Sequence, residues 1–221
     1  RIPAYTTCYG FHGVHGRSLA AATGLKVARP DLTVLVASGD GDGYSIGGNH
    51  FLHACRRNVD MTYIVMDNHV YGMTKGQPSP TTEPDWDSKL SPEGTGLREF
   101  HPMVVALSSG ANFIARAFTG DPNGLADVIV QAVRHPGFSF VEVLSPCVTF
   151  NDHEGSTKSY AYVKDHDEAL GEITFVPFFE DISVDYEAGT STEVKMHDGS
   201  RVFLKKLDDK YNPQDKLAAI T

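Results

Sequence analysis

Cysteine is scarce in this chain: three in 221 residues, at Cys8, Cys55 and Cys147, with no Cys-x-x-Cys pair among them. An odd, widely spaced set argues against a disulfide framework and for a reducing compartment, so a cytoplasmic location is expected. Long apolar runs are missing too. No stretch approaches the roughly 20 residues that cross a bilayer, and no signal peptide is visible. Basic residues are in deficit, with 19 Lys and Arg against 28 Asp and Glu, a net charge of −9 and a pI near 5.5. With no Lys/Arg cluster, neither nucleic acid nor an anionic membrane is an expected partner. Internal repeats and low-complexity tracts are absent. An initiating methionine is also lacking, and the opening Arg-Ile-Pro-Ala-Tyr reads like the interior of a longer polypeptide, so a missing N-terminal part is expected.

What is present is an ordinary globular composition, 41% apolar and 21% charged, long enough to bury a core without staples. Residues 17–29 (RSLAAATGLKVAR) predict a helix that Pro30 stops. Residues 33–38 (TVLVAS) form a β-branched apolar run typical of a buried parallel strand. Helical spacing returns over 49–58, and 61–66 (MTYIVM) predicts a second buried strand. A polar stretch from about 69 to 100 follows, long enough to suggest a functional loop. Then come a helix at 101–109, a strand at 111–118, a helix at 123–135 and a strand at 138–144. Strands alternating with helices predict an α/β, doubly wound parallel sheet over residues 1–150. Residues 151–221 read as a C-terminal extension, with a short helix near 165–170 and a β-hairpin over 193–207 turning at Asp198-Gly199.

The chemistry centres on Gly39-Asp40-Gly41 and Asp67-Asn68. Each follows a buried strand, and open α/β sheets bind ligands outside the carboxyl ends of their strands. Glycines let backbone N–H groups approach a diphosphate, and a following helix adds a dipole that favours anions. A carboxylate at Asp40 beside a diphosphate needs a cation between them. Mg²⁺ suits that role because it prefers oxygen ligands and bridges phosphates to carboxylates. Between Gly41 and Asp67 lie 25 residues, the length of one helix and one strand, enough to return the chain to the same end of the sheet. Asp40, the Asn68 amide oxygen and the Val70 backbone carbonyl, with two phosphate oxygens and a water, would complete an octahedron.

Gly-Asp-Gly, a spacer of this length and an Asn pair form the Mg²⁺–thiamin diphosphate signature, here with Asp67 replacing the first Asn. The fuller stretches GDGDGYSIGG, CRRNVDMTYIVMDNHVYGMTKGQ and SPT are narrower. With GFHGVHGR (10–17), LSPCVTFND (144–152) and LKKLDDKYNPQDKLAA (204–219), they closely resemble the β-subunit of 2-oxoacid:ferredoxin oxidoreductases, the 2-oxoglutarate type above all. The resemblance implies oxidative decarboxylation of a 2-oxoacid to an acyl-CoA, with electrons passed to ferredoxin. The implied partners are an α (or fused α/γ) subunit, ferredoxin, coenzyme A and the 2-oxoacid. By position it implies Mg²⁺ on Asp40, Asn68 and Val70, and thiamin diphosphate against Gly39, Asp40, Gly41, Asp42, Asn68, Val70, Tyr71, Gly72, Met73 and Thr74. Lys75 would attract the substrate carboxylate and His15 would line the same cavity. Cys147, in Ser-Pro-Cys, matches the fourth ligand of a 4Fe–4S cluster. The three other cysteine ligands of the family are absent, and one thiolate cannot hold a four-iron cluster, so that cluster is expected only in the complete protein.

Plainer readings stand beside these. The glycine loop fits a GxGxxG dinucleotide fingerprint poorly, because two carboxylates inside it would repel a bare pyrophosphate. A non-oxidative thiamin-diphosphate decarboxylase or carboligase, or a catalytically inactive assembly piece, remain as alternatives. His50 and His53, three apart on a predicted helix, read as packing or surface residues before metal ligands. Cys55 reads as a small core residue, and Lys75 as either a site residue or a solvated loop lysine.

Overall fold

The computed structural model describes residues 2–88, 91–154, 156, 159–165, 184–195 and 201–205. By contact, the chain divides into two compact units, Arg1–Leu170 and Gly171–Thr221. In the first unit, α1 (Ser18–Ala28), β1 (Leu35–Gly39), α2 (Gly48–Arg57) and β2 (Met61–Asp67) follow one another. A two-residue pair, β3 (Val70–Tyr71) with β4 (Gln77–Pro78), lies within the long polar stretch. Next come α3 (Pro102–Ser108), β5 (Phe113–Phe118), α4 (Pro122–Arg134), β6 (Phe138–Leu144) and α5 (Tyr160–Asp165). Four strands pair in parallel in the order β1-β2-β6-β5.

The centre of the sheet is apolar on both faces, as parallel sheets demand. Every residue of β6 is buried, and β2 is buried at all but two of its seven positions. On one face Leu19 and Ala22 of α1, Phe51, Ala54 and Cys55 of α2 and Ala106 of α3 pack with Val36, Tyr63, Val65, Phe138 and Phe140. On the other, Val128 and Ala132 of α4 pack with Ala117, Val141 and Val143. Helices on both faces make the sheet doubly wound. Cys55 is fully buried, and burial pushes its thiol up to about 12, as befits an inert core residue.

Local signals set most boundaries. Pro122 follows Asp121, whose carboxylate accepts the Gly124 N–H at 3.1 Å, an N-cap that fixes the start of α4. Asn58 ends α2 in the left-handed conformation (φ 49°), and its side-chain oxygen accepts the Phe138 N–H at 2.8 Å, joining the helix end to β6. Most boundaries differ from the sequence reading by a residue or two, β1 running Leu35–Gly39 where the sequence predicts 33–38, and three differences are more telling. Helical backbone begins at Gly41, in a wide π-helical turn over Gly41–Ile46, not at residue 49. β5 begins at Phe113, because the Ala111 N–H is spent on the Ala106 carbonyl at the end of α3. The short helix expected near 165–170 is α5 at Tyr160–Asp165, and residues 166–170 lie outside the described ones. In the second unit β7 (Ser191–Lys195) pairs antiparallel with β8 (Arg201–Lys205), the expected hairpin. Its turn at Asp198-Gly199 lies outside the described residues.

Phe51 anchors the larger core cluster. Its ring centroid lies 4.9 Å from that of Phe140, 5.7 Å from Tyr44 and 5.8 Å from Tyr63. Phe51→Ala should cost about 3–5 kcal/mol. The check is urea unfolding of the chain, and a loss below about 1 kcal/mol would mean the cluster does not organise the fold.

Candidate cofactor site

The parallel register sets Gly39 opposite Met66, so Asp40 and Asp67 leave neighbouring strands at the same carboxyl end of the sheet. The two halves of the motif then touch. Tyr71 lays its ring over Gly41 and donates its hydroxyl to the Gly41 carbonyl at 3.1 Å, and any side chain at Gly41 would run into that ring. Gly43 is held the same way against the Tyr63 hydroxyl. Close packing within the protein therefore requires these glycines, in addition to whatever a ligand needs.

Asp40 is 3% exposed and Asp67 1%. Between them sits Thr81, its hydroxyl oxygen 2.9 Å from Asp40 Oδ2 and 2.8 Å from Asp67 Oδ1. A hydroxyl carries one proton, so both contacts are hydrogen bonds only when one of the two carboxyls is protonated. Asp67 is that group. Burial raises its pKa from 3.8 to about 7, with His69 opposing and the charges of Asp40 and Glu142 adding to the rise. The proton on Asp67 then points at Thr81, and the Thr81 proton points at Asp40, which keeps the charge. A neutral carboxylic acid offers the donor and acceptor of an amide, so Asp67 can stand where the signature has Asn.

Asn68 Oδ1 accepts the Val70 N–H at 3.1 Å, and His69, at φ 60°, donates its N–H to Asp67 Oδ1 at 3.2 Å. In this Asx turn the Asn68 side-chain oxygen is taken up by the Val70 N–H, and the Val70 carbonyl accepts the Gly72 N–H at 3.1 Å. The loop at 145–151 supports it from behind. Ser145 donates its N–H to the Asp67 carbonyl at 2.9 Å, and Asn151 donates its side-chain amide to the Asn68 carbonyl at 3.1 Å. Among the described residues no basic side chain pairs with Asp40, and no group of three His, Cys, Asp or Glu gathers at one point. A buried carboxylate without a cation fits a site completed by Mg²⁺ and a diphosphate's own oxygens.

Met73, Thr74 and Lys75 lie on an exposed turn at the rim, with Met73 95% exposed and Lys75 at φ 89°. A non-glycine residue in that conformation stores strain of the sort found at ligand sites. Cys147 Sγ abuts Gly72, so Cys147 lies beside this turn. With Cys55 buried in the core, the chain's three cysteines do not supply a four-iron cluster. The Asp42 carboxylate turns to the chain itself, accepting the Gly16 N–H at 2.6 Å and the Ser38 hydroxyl at 2.7 Å, with His15 Nδ1 at 2.8 Å. Beyond Thr81 a cavity of about 190 Å³ is lined by His69, Glu99, His101, Arg116 and Glu142, where Arg116 holds buried Glu142 at 2.6 and 2.7 Å. Reading the motif alone missed Thr81, Asn151 and Ser38. Thr81 and Asn151 lie in the SPT and LSPCVTFND stretches, but nothing local to Ser38 marks it.

Folded Asp67 holds its proton up to about pH 7, whereas the unfolded carboxyl releases it near 3.8. Folding therefore takes up a proton between these values. The stabilising contribution is complete below the lower value and is lost as pH rises through the upper. Asp67→Asn should keep the fold and flatten the fall in Tm of the metal-free chain between pH 5 and pH 8. An unchanged slope would remove the proton from Asp67.

Comparison with known proteins agrees with this geometry. Residues 1–143 match the family described as thiamine pyrophosphate enzyme, C-terminal TPP binding domain. The chain is 49% identical over 152 residues to the 2-oxoglutarate oxidoreductase subunit KorB of Mycobacterium tuberculosis, covering 69% of this chain and 41% of that protein. It is 47% identical over 149 residues to the 2-oxoglutarate synthase subunit KorB of Archaeoglobus fulgidus, covering 67% and 56%. A solved 2-oxoglutarate:ferredoxin oxidoreductase from Magnetococcus marinus, with 2-oxoglutarate, coenzyme A and succinyl-CoA bound, superposes with a TM-score of 0.70 at 44% identity, covering 74% of this chain and 55% of that one. The chain thus spans about half the length of the relatives it matches. The paired strand ends, the glycine turn and the match over residues 1–143 together place this chain in the family of thiamine pyrophosphate enzymes, within their C-terminal TPP-binding domain.

Proposed function

We propose that this chain is the cofactor-binding part of the β-subunit of a 2-oxoacid:ferredoxin oxidoreductase, with 2-oxoglutarate as the substrate. Buried Asp40, at the carboxyl ends of two adjacent strands and without a cationic partner among the described residues, carries the proposal. Identities of 41–49% to curated 2-oxoglutarate and 2-oxoacid oxidoreductase subunits support it.

Thiamin diphosphate, when bound, supplies an electron sink that makes loss of carbon dioxide from a 2-oxoacid feasible. The chain's own residues do the rest. Asp40, Asn68 and Val70 hold Mg²⁺ through a carboxylate, an amide oxygen and a backbone carbonyl. Gly39, Gly41 and the backbone of Asp42 line the diphosphate, next to the first turns of helical backbone that favour an anion. Tyr71, Gly72, Met73 and Thr74 form the wall of the cradle, and Lys75 offers an ammonium to the substrate carboxylate from the rim. His15 lies at the same mouth, tied to Asp42. An α (or fused α/γ) subunit completes the cavity, coenzyme A accepts the acyl group and ferredoxin the electrons. In the complete protein Cys147 would be one of the ligands of a 4Fe–4S cluster. No described helix is long and apolar enough to cross a membrane, and the cytoplasm suits the proposed reaction.

The test is calorimetric titration with thiamin diphosphate, with and without Mg²⁺, on the chain and on its complex with the partner subunit. Mg²⁺-dependent binding that Asp40→Ala weakens at least tenfold is the expected result. Binding indifferent to Mg²⁺ and to Asp40, or none in the complex, would overturn the assignment.

A further inference from the structure

Two acids stand two residues apart in the glycine turn, and their surroundings differ. Asp40 is buried, and no basic side chain pairs with it among the described residues. Asp42 is ringed by donors of this chain. Its Oδ1 receives the Gly16 N–H at 2.6 Å and lies 2.8 Å from His15 Nδ1, while its Oδ2 receives the Ser38 hydroxyl at 2.7 Å. Ser38 in turn lies 2.9 Å from the hydroxyl of Ser18, the first residue of α1. The approach of the 14–17 turn depends on Gly16, which sits at φ 71° where an added side chain would strike Ile46 and the Gly47 backbone. Arg17, the neighbouring charge, is turned away and donates to the carbonyls of Gly16 and Ile46, both at 3.1 Å.

A carboxylate only accepts hydrogen bonds, so the nitrogen facing Asp42 must carry the proton. In a neutral imidazole the other nitrogen is then the acceptor. His15 is 55% exposed, and no other hydrogen bond to its ring occurs among the described residues. We propose that Asp42 is a positioning residue which fixes His15 as the Nδ1–H tautomer, so that Nε2 becomes the proton acceptor offered to the ligand bound in the glycine turn. In the step this permits, an O–H or N–H of the ligand gives its proton to Nε2. The resulting imidazolium is stabilised by Asp42, and the same proton is later returned. This assigns the Asp42 side chain to His15 and leaves only its backbone to the diphosphate. The identity of the ligand rests on the function proposed above, but the Asp42–His15 pair does not.

The tautomer is directly observable. Long-range ¹H–¹⁵N spectra of the full chain labelled at histidine, at pH 8.5, with His15 identified by its loss in His15→Gln, should show His15 as the Nδ1–H form. Asp42→Ala should abolish that preference while the remaining histidine signals stay in place. An Nε2–H pattern for His15 in the unaltered chain overturns the proposal, as does an Nδ1–H preference that survives in folded Asp42→Ala. The first is a property of the unaltered chain, with His15→Gln, a substitution at an exposed residue, serving only to assign its signal, and both are read without cofactor, so they are independent of whether thiamin diphosphate binds. In the enzyme reconstituted with its partner subunit, His15→Gln should lower turnover by about 10²-fold, and adding Asp42→Ala should lower it little further. Losses that multiply would show that Asp42 acts otherwise than through His15.

Discussion

One hydroxyl between two buried carboxyls organises the carboxyl end of this sheet. Taking two carboxylates out of water within reach of a single threonine costs several kcal/mol unless one gives up its charge. The structure resolves the conflict by placing them unequally. Asp67, near Glu142 and deep under β2, keeps a proton, and Asp40 keeps the charge. The arrangement holds only while Thr81 stays in place, and the surrounding turn secures it. Ser79 donates its N–H to the Thr82 hydroxyl at 2.7 Å, and Thr82 donates to the His69 carbonyl, so the 79–82 turn is bolted to the 67–70 turn. A buried polar network of this kind fixes one geometry where an apolar core would tolerate several.

Unequal treatment of like residues recurs in the glycine turn. Asp40 and Asp42 are identical in chemistry and flank one glycine, yet Asp40 accepts from Thr81 while Asp42 is consumed by Gly16, Ser38 and His15. Had both faced the ligand, two negative charges would oppose a diphosphate and one Mg²⁺ would not offset them. Turning the second acid inward removes that repulsion and uses it to anchor a segment from the far side of α1. The same turn therefore joins Asp40, the segment leading into α1 and His15.

Much of this was legible before any coordinates. The mainly apolar runs at 33–38, 61–66 and 138–144 mark three strands to within two residues, because buried parallel strands are built mostly of apolar residues and composition records that directly. The spacer from Gly41 to Asp67 marks the return to one sheet end because helix and strand lengths are fixed by geometry. What escaped were relations between distant residues of common type. Thr81 looks like any loop threonine, and its importance comes from the two acids it meets across 41 and 14 residues. The π-helical turn escaped for a related reason: glycine-rich sequence reads as loop, and only the Tyr71 and Tyr63 side chains pressing on Gly41 and Gly43 show why it coils there. Asp42 was legible as a site residue, but the direction of its carboxylate was not, since its partners lie 26 and 4 residues away on separate elements.

The loop at 145–151 extends the logic beyond the glycine turn. Its N-terminal end is pinned by Ser145 to the Asp67 carbonyl and its C-terminal end by Asn151 to the Asn68 carbonyl, so both anchors fall on the Asx turn. The Cys147 carbonyl accepts the N–H groups of Phe150 at 3.1 Å and Asn151 at 2.7 Å, which closes the loop into one tight turn. Its sulfur abuts Gly72, and the Phe150 ring covers Gly76 at the end of the Met73–Lys75 rim. Cys147 is thus held by the same short backbone that sets Asn68 and the rim. Hydrogen bonds fix both ends of this seven-residue segment to the 67–68 turn, and between those ends the Cys147 sulfur and the Phe150 ring press on two glycines of the facing loop, Gly72 and Gly76, where a larger side chain would have no room. The positions of the 67–68 turn, the Met73–Lys75 turn and the Cys147 sulfur are therefore set together, by the contacts of one short loop.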